Sequence, residues 1–156
     1  MLEGDKMIRK LIITLIILLQ PCILLGEEVR SVSLISLIAN PDKYDSKIVR
    51  VEGYLHIKFE DAALYLSKSD ADYLNGNNAV WVSFSEKKDI NIQPLDRNTK
   101  LNKENLDYFD CKYVLLEGTF NKNEHGHMGA YAATLEDVTR IMESTQWYDG
   151  KKQLKK

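Results

Sequence analysis

The sequence predicts an all-β domain with a minor helical part, built as a small five-stranded barrel. Residues 47–58 alternate between apolar and polar side chains, as expected for a strand with one buried face. Gly53 interrupts the apolar row of that strand, as happens at a bulge or a sharp bend. Residues 112–120 repeat the pattern, including a glutamate followed by a glycine. A long, strongly bent first strand is what a small barrel requires.

The first 26 residues have the composition of a secretory signal peptide. Three basic residues precede the apolar run of residues 11–19, and Gly26 precedes two glutamates. This pattern predicts cleavage after Gly26 and a periplasmic or secreted location in a bacterium. Two alternatives stay open, an uncleaved anchor and a lipoprotein. An anchor would want about 20 apolar residues, and a lipoprotein would want a small residue where Pro21 precedes Cys22.

Cysteine content and charge limit the classes of function. Removal of the signal peptide leaves Cys111 alone, so no internal disulfide can form and the domain depends on its apolar core. We expect Cys111 at the start of a strand, packed as a small hydrophobic residue. The formal net charge of −2 disfavours nucleic acid, because phosphate binding draws on clustered Lys and Arg. We expect no cofactor, an unknown envelope ligand or protein as partner, and membrane contact only through an uncleaved signal segment.

Capping and turn residues delimit the elements before the insertion. Pro41 ends the predicted N-terminal helix, because the residue before a proline resists the helical region. Asn75 and Gly76 accept left-handed backbone angles and therefore predict a turn. The predicted elements are, in order, a helix over 31–41, strands over 47–58 and 63–67, one helical turn over 69–74, and a strand over 79–85.

Residues 86–110 form the predicted insertion between the third and fourth strands. A structureless loop of this length would be unusual, so we expect a short helix over 101–109 whose Leu106 and Phe109 contact the body. A bulge is expected near Glu136 in the fifth strand. The remaining predicted segments are the fourth strand over 112–120, the fifth strand over 131–141 and a flexible polar tail over 144–156, so that the domain spans 27–143.

Five strands with a helix-sized insertion between the third and fourth are the pattern of the OB-fold, a partly open Greek-key barrel. Residues 40–44, 49–54, 113–120 and the Gly126-His127-Met128-Gly129 turn also resemble a family of small exported bacterial proteins. That family is generally described as uncharacterised and is related to tRNA-anticodon-binding-like OB-folds. The resemblance spans roughly Val32 to Met142. It implies the fold and the compartment, and it carries no activity across.

One predicted surface carries side chains suited to ligand binding. OB-folds hold oligonucleotides or oligosaccharides on the face of strands 2 and 3, between the loops that join strands 1–2 and 4–5. In this chain those loops are residues 59–62 and 121–129. The alternative is that Tyr65 and Trp81 pack under the N-terminal helix or the insertion. The candidate binding residues are Tyr54, His56, Tyr65, Trp81, Ser83 and His127.

These patterns predict a non-enzymatic exported OB-fold domain that binds an unknown ligand or protein partner in the cell envelope. The sequence contains no Gly-x-Ser-x-Gly, phosphate-loop or His-Glu-x-x-His motif. One alternative is binding of single-stranded nucleic acid or oligosaccharide on the face of strands 1–3. The other is a metal-binding protein or metalloenzyme that uses His125 and His127. A zinc site needs three or four ligands, and a third is not evident in the sequence. His127 could instead donate a hydrogen bond that locks the hairpin.

Overall fold

The computed structural model describes residues 28–84, 89–92, 97–100 and 103–145. Strands dominate these residues, which confirms the mainly β composition expected from the sequence. The predicted signal peptide over 1–26 and the predicted tail beyond residue 145 lie outside the described residues.

The elements are numbered in chain order. The strands of the described part are β1 (Arg30–Ser33), β2 (Ile48–Lys58), β3 (Asp61–Tyr65), β4 (Ala79–Val82), β5 (Asp89–Ile92), β6 (Arg97–Lys100), β7 (Lys112–Asn121) and β8 (Thr134–Glu143). The helices of that part are α1 (Leu34–Ala39), α2 (Pro41–Tyr44), α3 (Lys68–Asp72) and α4 (Lys103–Asp107).

Strand β2 is the longest strand and organises the sheet. Its first half pairs with β1 in parallel, its second half pairs with β3 antiparallel, and its other edge pairs with β7 antiparallel. Strand β3 pairs with β4, β4 pairs with β8 in parallel, and β8 pairs with β7. The path β2–β3–β4–β8–β7 therefore returns to β2. Strand β5 adds to β8 in parallel, and β6 adds to β5.

One face of these strands forms the main core. Gly53 lies where β2 crosses closest to β3, because a Cβ atom there would be 2.7 Å from both Leu64 Cγ and the Tyr65 carbonyl oxygen. Only glycine fits this approach, so close packing against β3 accounts for the interruption of the apolar row. The main core includes Leu34, Leu37, Val49, Val51, Leu55, Leu64, Val80, Val82, Phe109, Val114, Leu116, Phe120, Leu135, Val138 and Ile141.

A second, smaller cluster lies on the opposite face of β2, β3 and β4. Its position follows from strand alternation, because Leu64 belongs to the main core while the next residue, Tyr65, belongs to this cluster. Tyr131 packs against it from outside the sheet. We call this group the outer cluster; its buried members are Tyr54, Ala63, Tyr65, Ala71 and Ala79.

The N-terminal region differs from the expected single helix over 31–41. Residues 30–33 form β1, because they pair with β2 in parallel register. Helix α1 begins only after Ser33, whose hydroxyl accepts a hydrogen bond of 3.1 Å from the Ser36 N–H as an N-cap. Pro41 does end α1, but it also opens α2, where its missing N–H is tolerated.

The insertion contains the expected helix and two strands that were not expected. Helix α4 is shorter than the predicted 101–109, and Phe109 after it is fully buried, as predicted. Strands β5 and β6 raise the number of strands above the predicted five. Ile90 and Ile92 of β5 are buried in the main core. Two alternating apolar residues within a polar stretch are too short a pattern to predict a strand.

The predictions made around the fourth and fifth strands are confirmed only in part. The predicted bulge near Glu136 is confirmed, because the β7–β8 register shifts between Glu117 and Thr119. Cys111 precedes β7 as expected, but it is exposed at φ 57° instead of packed. Ser144 is buried, so the body of the domain extends one residue into the predicted tail.

Candidate functional site

A buried carboxylate, Asp61, joins the outer cluster to two loops. Asp61 is the first residue of β3 and is 8% exposed. Its Oδ1 accepts hydrogen bonds from Tyr65 Oη at 2.9 Å and from Tyr131 Oη at 2.6 Å, and its Oδ2 pairs with His56 Nδ1. A buried charge is tolerated only when its hydrogen-bonding capacity is satisfied. Three donors on one carboxylate meet that requirement.

The two tyrosines remain protonated donors over a wide pH range. Burial, followed by the hydrogen bond to Asp61, raises the pKa of Tyr131 to about 12. Burial and the same carboxylate raise the pKa of Tyr65 further above its ordinary value. Each effect disfavours a phenolate beside a carboxylate. The network is therefore fixed with the carboxylate as acceptor and the phenols as donors.

His56 has one of the two contacts of a catalytic histidine, the carboxylate that orients its ring. Its Nδ1 pairs with Asp61, which orients the imidazole, and 9% of its side chain remains exposed. An imidazole oriented in this way acts as a general base when its second nitrogen reaches a hydroxyl or thiol nucleophile. In the part of the chain that the structure describes, no serine, threonine or cysteine side chain is hydrogen-bonded to His56.

The predicted binding residues share one side of the sheet, but most of them are covered. Tyr54 and His56 are each 7% exposed, and Tyr65 is fully buried. Trp81 is half-buried, while Ser83 and His127 are exposed. The aromatic face predicted as an open binding surface is thus mostly the outer cluster.

The outer cluster is covered by elements other than those expected from the sequence. The expected alternatives were the N-terminal helix and the insertion. Instead, the loop between β7 and β8 lies over Trp81, and Tyr113 packs edge-on against Tyr54 with ring centroids 5.2 Å apart. Ala71 of α3 completes the cover.

We call residues 122–131 the strap. Its centre contacts Trp81 so closely that a Cβ atom on Gly126 would lie 2.5 Å from Trp81 Cγ. The rings of Trp81 and Tyr131 lie 5.2 Å apart at their centroids. Gly126 and Gly129 have φ of 63° and 69°, in the left-handed region that favours glycine. Close approach and turn geometry therefore account for both glycines of the Gly126–Gly129 motif.

The β2–β3 turn meets the strap just after Gly126. His127 Nε2 lies 3.6 Å from Glu60 Oε2, which joins the strap to the β2–β3 turn. Phe59 and Met128, the neighbours of these two residues, are each 90% exposed. We call these four residues the tip. Large apolar side chains exposed together on two adjacent turns are a feature of interaction surfaces.

The two histidines proposed as metal ligands have different partners. His125 Nδ1 lies 3.0 Å from the Tyr131 carbonyl oxygen, so it donates within the strap. His127 faces Glu60. Among the described residues, no three His, Cys, Asp or Glu side chains are grouped to hold a metal ion. The hydrogen bond proposed for His127 as a lock of the hairpin is thus made by His125.

A separate groove of about 490 Å³ lies beside β1. Its rim includes three partly exposed apolar side chains, those of Ile35, Leu66 and Tyr113. Arg50 also lines the groove, and its Nη2 lies 2.5 Å from Glu117 Oε1, which Arg140 Nε approaches to 3.6 Å. This ion-pair group ties β2, β7 and β8 together across the sheet.

Sequence reasoning missed Asp61 and Tyr131. Asp61 was assigned to a loop, although a two-residue turn at Phe59 and Glu60 places it opposite Lys58 and diagonal to His56. That register would have put His56, Asp61 and Tyr65 on one face. Tyr131 gave no signal, because its partner is 70 residues away in the chain.

No family model, curated protein or solved structure matches this chain. None of the helices in the described ranges has the length and apolar character needed to cross a membrane.

Proposed function

We propose that this chain is a non-enzymatic, exported OB-fold domain that binds a protein or another ligand of the cell envelope through the tip. The compartment rests on the composition of residues 1–26, with three basic residues before an apolar run. The fold and the binding surface rest on separate observations.

The order of strand pairing supports the OB-fold. Strands β2, β3, β4, β8 and β7 are joined in a closed cycle, as in a five-stranded Greek-key barrel. The insertion with α4 lies between β4 and β7, which are the third and fourth of these five strands in chain order. Strands β1, β5 and β6 are additions outside the cycle.

The observation that carries the binding proposal is the contact between Glu60 and His127. It joins the loop between the first two strands of the cycle to the loop between its last two. These are the loops that OB-folds use to hold ligands. Phe59 and Met128, the chain neighbours of the two contacting residues, are each 90% exposed, and aromatic and methionine side chains are enriched at interfaces.

The composition of the tip favours a protein over nucleic acid. Its carboxylate is that of Glu60, Glu124 of the strap is also exposed, and the exposed Lys58 directly precedes Phe59, so the surroundings carry both signs of charge without a cluster of cations. Acidic groups repel phosphates, whereas apolar anchors with a polar surround fit a protein surface. The covered state of Tyr54 and Tyr65 also removes the stacking platform that an oligonucleotide would require.

Photo-crosslinking in intact cells tests this proposal. A photoreactive phenylalanine analogue replaces Phe59 or Met128 in the full chain, and Tyr73, which is 84% exposed outside the tip, serves as the control position. We expect discrete crosslinked species from positions 59 and 128 and none from position 73. Equal labelling at all three positions, or no adduct at the tip, would reject the tip as the binding surface.

Cell fractionation tests the compartment separately. We expect the mature protein in the periplasmic or secreted fraction, shortened by the signal peptide. Recovery of full-length protein in the cytosol would reject export and leave the tip proposal to the crosslinking result.

A further inference from the structure

The strap is attached firmly at its ends and weakly along its length. Before it, Asn121 belongs to β7; after it, the Ala132 N–H donates to the Ala79 carbonyl at 3.1 Å. No residue from 122 to 130 is buried. Segments with few buried contacts open at low free energy. The strap has the attachment pattern of a hinged segment.

One hydrogen bond fastens the strap to the buried part of the sheet. Tyr131 Oη donates to Asp61 Oδ1 at 2.6 Å, and this carboxylate is already oriented by His56 and Tyr65. The other polar contact to the β2–β3 turn is the exposed 3.6 Å approach of His127 to Glu60. Exposed ion pairs contribute little. Lys122, at the first end of the strap, also contacts Asp42 and Asp45, but at the surface. Among the described contacts, the Tyr131–Asp61 bond is therefore the strong attachment to β3.

A polar atom beside Trp81 has no partner. Thr134 is opposite Trp81 in the β4–β8 register, so both side chains lie on the face that the strap covers. Thr134 is 3% exposed, and its Oγ1 makes no hydrogen bond within the described chain. Burying an unpaired hydroxyl is unfavourable. The covered face thus holds an unused hydroxyl next to an aromatic ring.

We propose that the strap is a lid, latched by Tyr131 on Asp61, over a site for a small ring-shaped ligand with a hydrogen-bonding substituent. Opening about residues 121 and 132 uncovers the Trp81 ring for stacking and the Thr134 hydroxyl for a hydrogen bond. The site lies under the strap, and the strap shares His127 and Met128 with the tip. A partner bound across the tip would therefore hold the lid closed, whereas the tests below use the free protein and need no partner.

Hydrogen exchange of paired variants tests the latch. Tyr131→Phe removes the hydroxyl on the strap, and Tyr65→Phe removes the other hydroxyl on the same carboxylate oxygen, from β3. We expect Tyr131→Phe to speed exchange of the Lys122 N–H, which donates to Asp45 Oδ1 outside the strap, about tenfold or more relative to the Ser83 N–H. Tyr65→Phe should change both amides equally. The same relative change in the two variants would overturn the latch.

The unaltered protein provides a second test that does not depend on a variant folding. Exchange is followed in low concentrations of urea at the Lys122 N–H, bonded to Asp45 Oδ1, and at the Ser83 N–H, bonded to Leu135 O. A lid predicts that the first amide opens with little urea dependence, because little surface is exposed. Exchange of both amides with the urea dependence of global unfolding would overturn the proposal.

Quenching of Trp81 by acrylamide tests access to the covered ring. In a Trp147→Phe background, Trp81 is the one remaining tryptophan. We expect a quenching constant several-fold higher after Tyr131→Phe than after Tyr65→Phe, since only the first change releases the cover of this ring. Equal quenching in the two variants would show that Trp81 is reached without the lid and would overturn the proposal.

Discussion

The main core and the outer cluster lie on opposite faces of the same strands, and they are stabilised in different ways. The main core is apolar throughout and is enclosed by the strands. The outer cluster surrounds a carboxylate and is closed by a loop. Burial of apolar area needs no orientation, whereas a buried carboxylate needs each donor in place. Losses of stability in the first region should therefore scale with the apolar area removed, and losses in the second with the hydrogen bonds removed.

The largest expected effect on the free energy of unfolding comes from a substitution in β3, where adjacent residues belong to the two regions. Leu64 and Tyr65 are both fully buried, one in each region. Leu64→Ala should lower the free energy of unfolding by about 2–5 kcal/mol, through lost burial and a cavity. Tyr65→Phe should cost about 1–2 kcal/mol, because it removes one of three hydrogen bonds to Asp61. Urea unfolding measures both, and a larger loss for Tyr65→Phe would reverse this comparison.

Substitutions of the two glycines of the strap distinguish the free-energy cost of a close contact from that of a left-handed backbone conformation. Gly126→Ala should cost about 2–4 kcal/mol, because it adds a clash with Trp81 to the left-handed backbone. Gly129→Ala should cost about 1 kcal/mol, because its added Cβ would meet nothing within 4 Å. Thermal unfolding of the two variants measures the difference. Equal losses would mean that the strap moves off Trp81 without cost.

Alkaline pH should weaken the outer cluster selectively. Tyr131 has its pKa raised to about 12 from 10.0, so the folded state holds this proton more tightly than the unfolded state. Its contribution is complete below pH 10 and is lost as the pH rises through about 12. The free energy of unfolding of the wild type should fall more steeply over that interval than that of Tyr131→Phe. Parallel curves would contradict the raised pKa.

The smallest effect on stability is expected at the tip. Phe59→Ser removes a side chain that is 90% exposed, so the free energy of unfolding should change by less than about 0.5 kcal/mol. The same change should reduce crosslinking from position 128 if the two turns bind one partner. Urea unfolding and the yield of crosslinked species give the two measurements. A large loss of stability would place Phe59 among the structural residues.

The sequence was informative where a pattern is local and repeated. Alternation over residues 47–58 predicted β2, and the glycine within it is required by the approach of Leu64. The same alternation placed Tyr54 and Tyr65 on the outward face correctly, but it could not reveal what covers them. That cover depends on Tyr131 reaching Asp61, a contact that no local pattern records.

The position of Asp61 also has a consequence for the order of folding. Its partners His56 and Tyr65 lie within five residues of it in the chain, whereas Tyr131 lies 70 residues away. Closing the short hairpin costs little chain entropy, and closing the long loop costs more. We therefore expect the acceptor for the strap to form before the strap docks on it. Changes at Tyr131 should act mainly on the rate of unfolding, because that contact forms late.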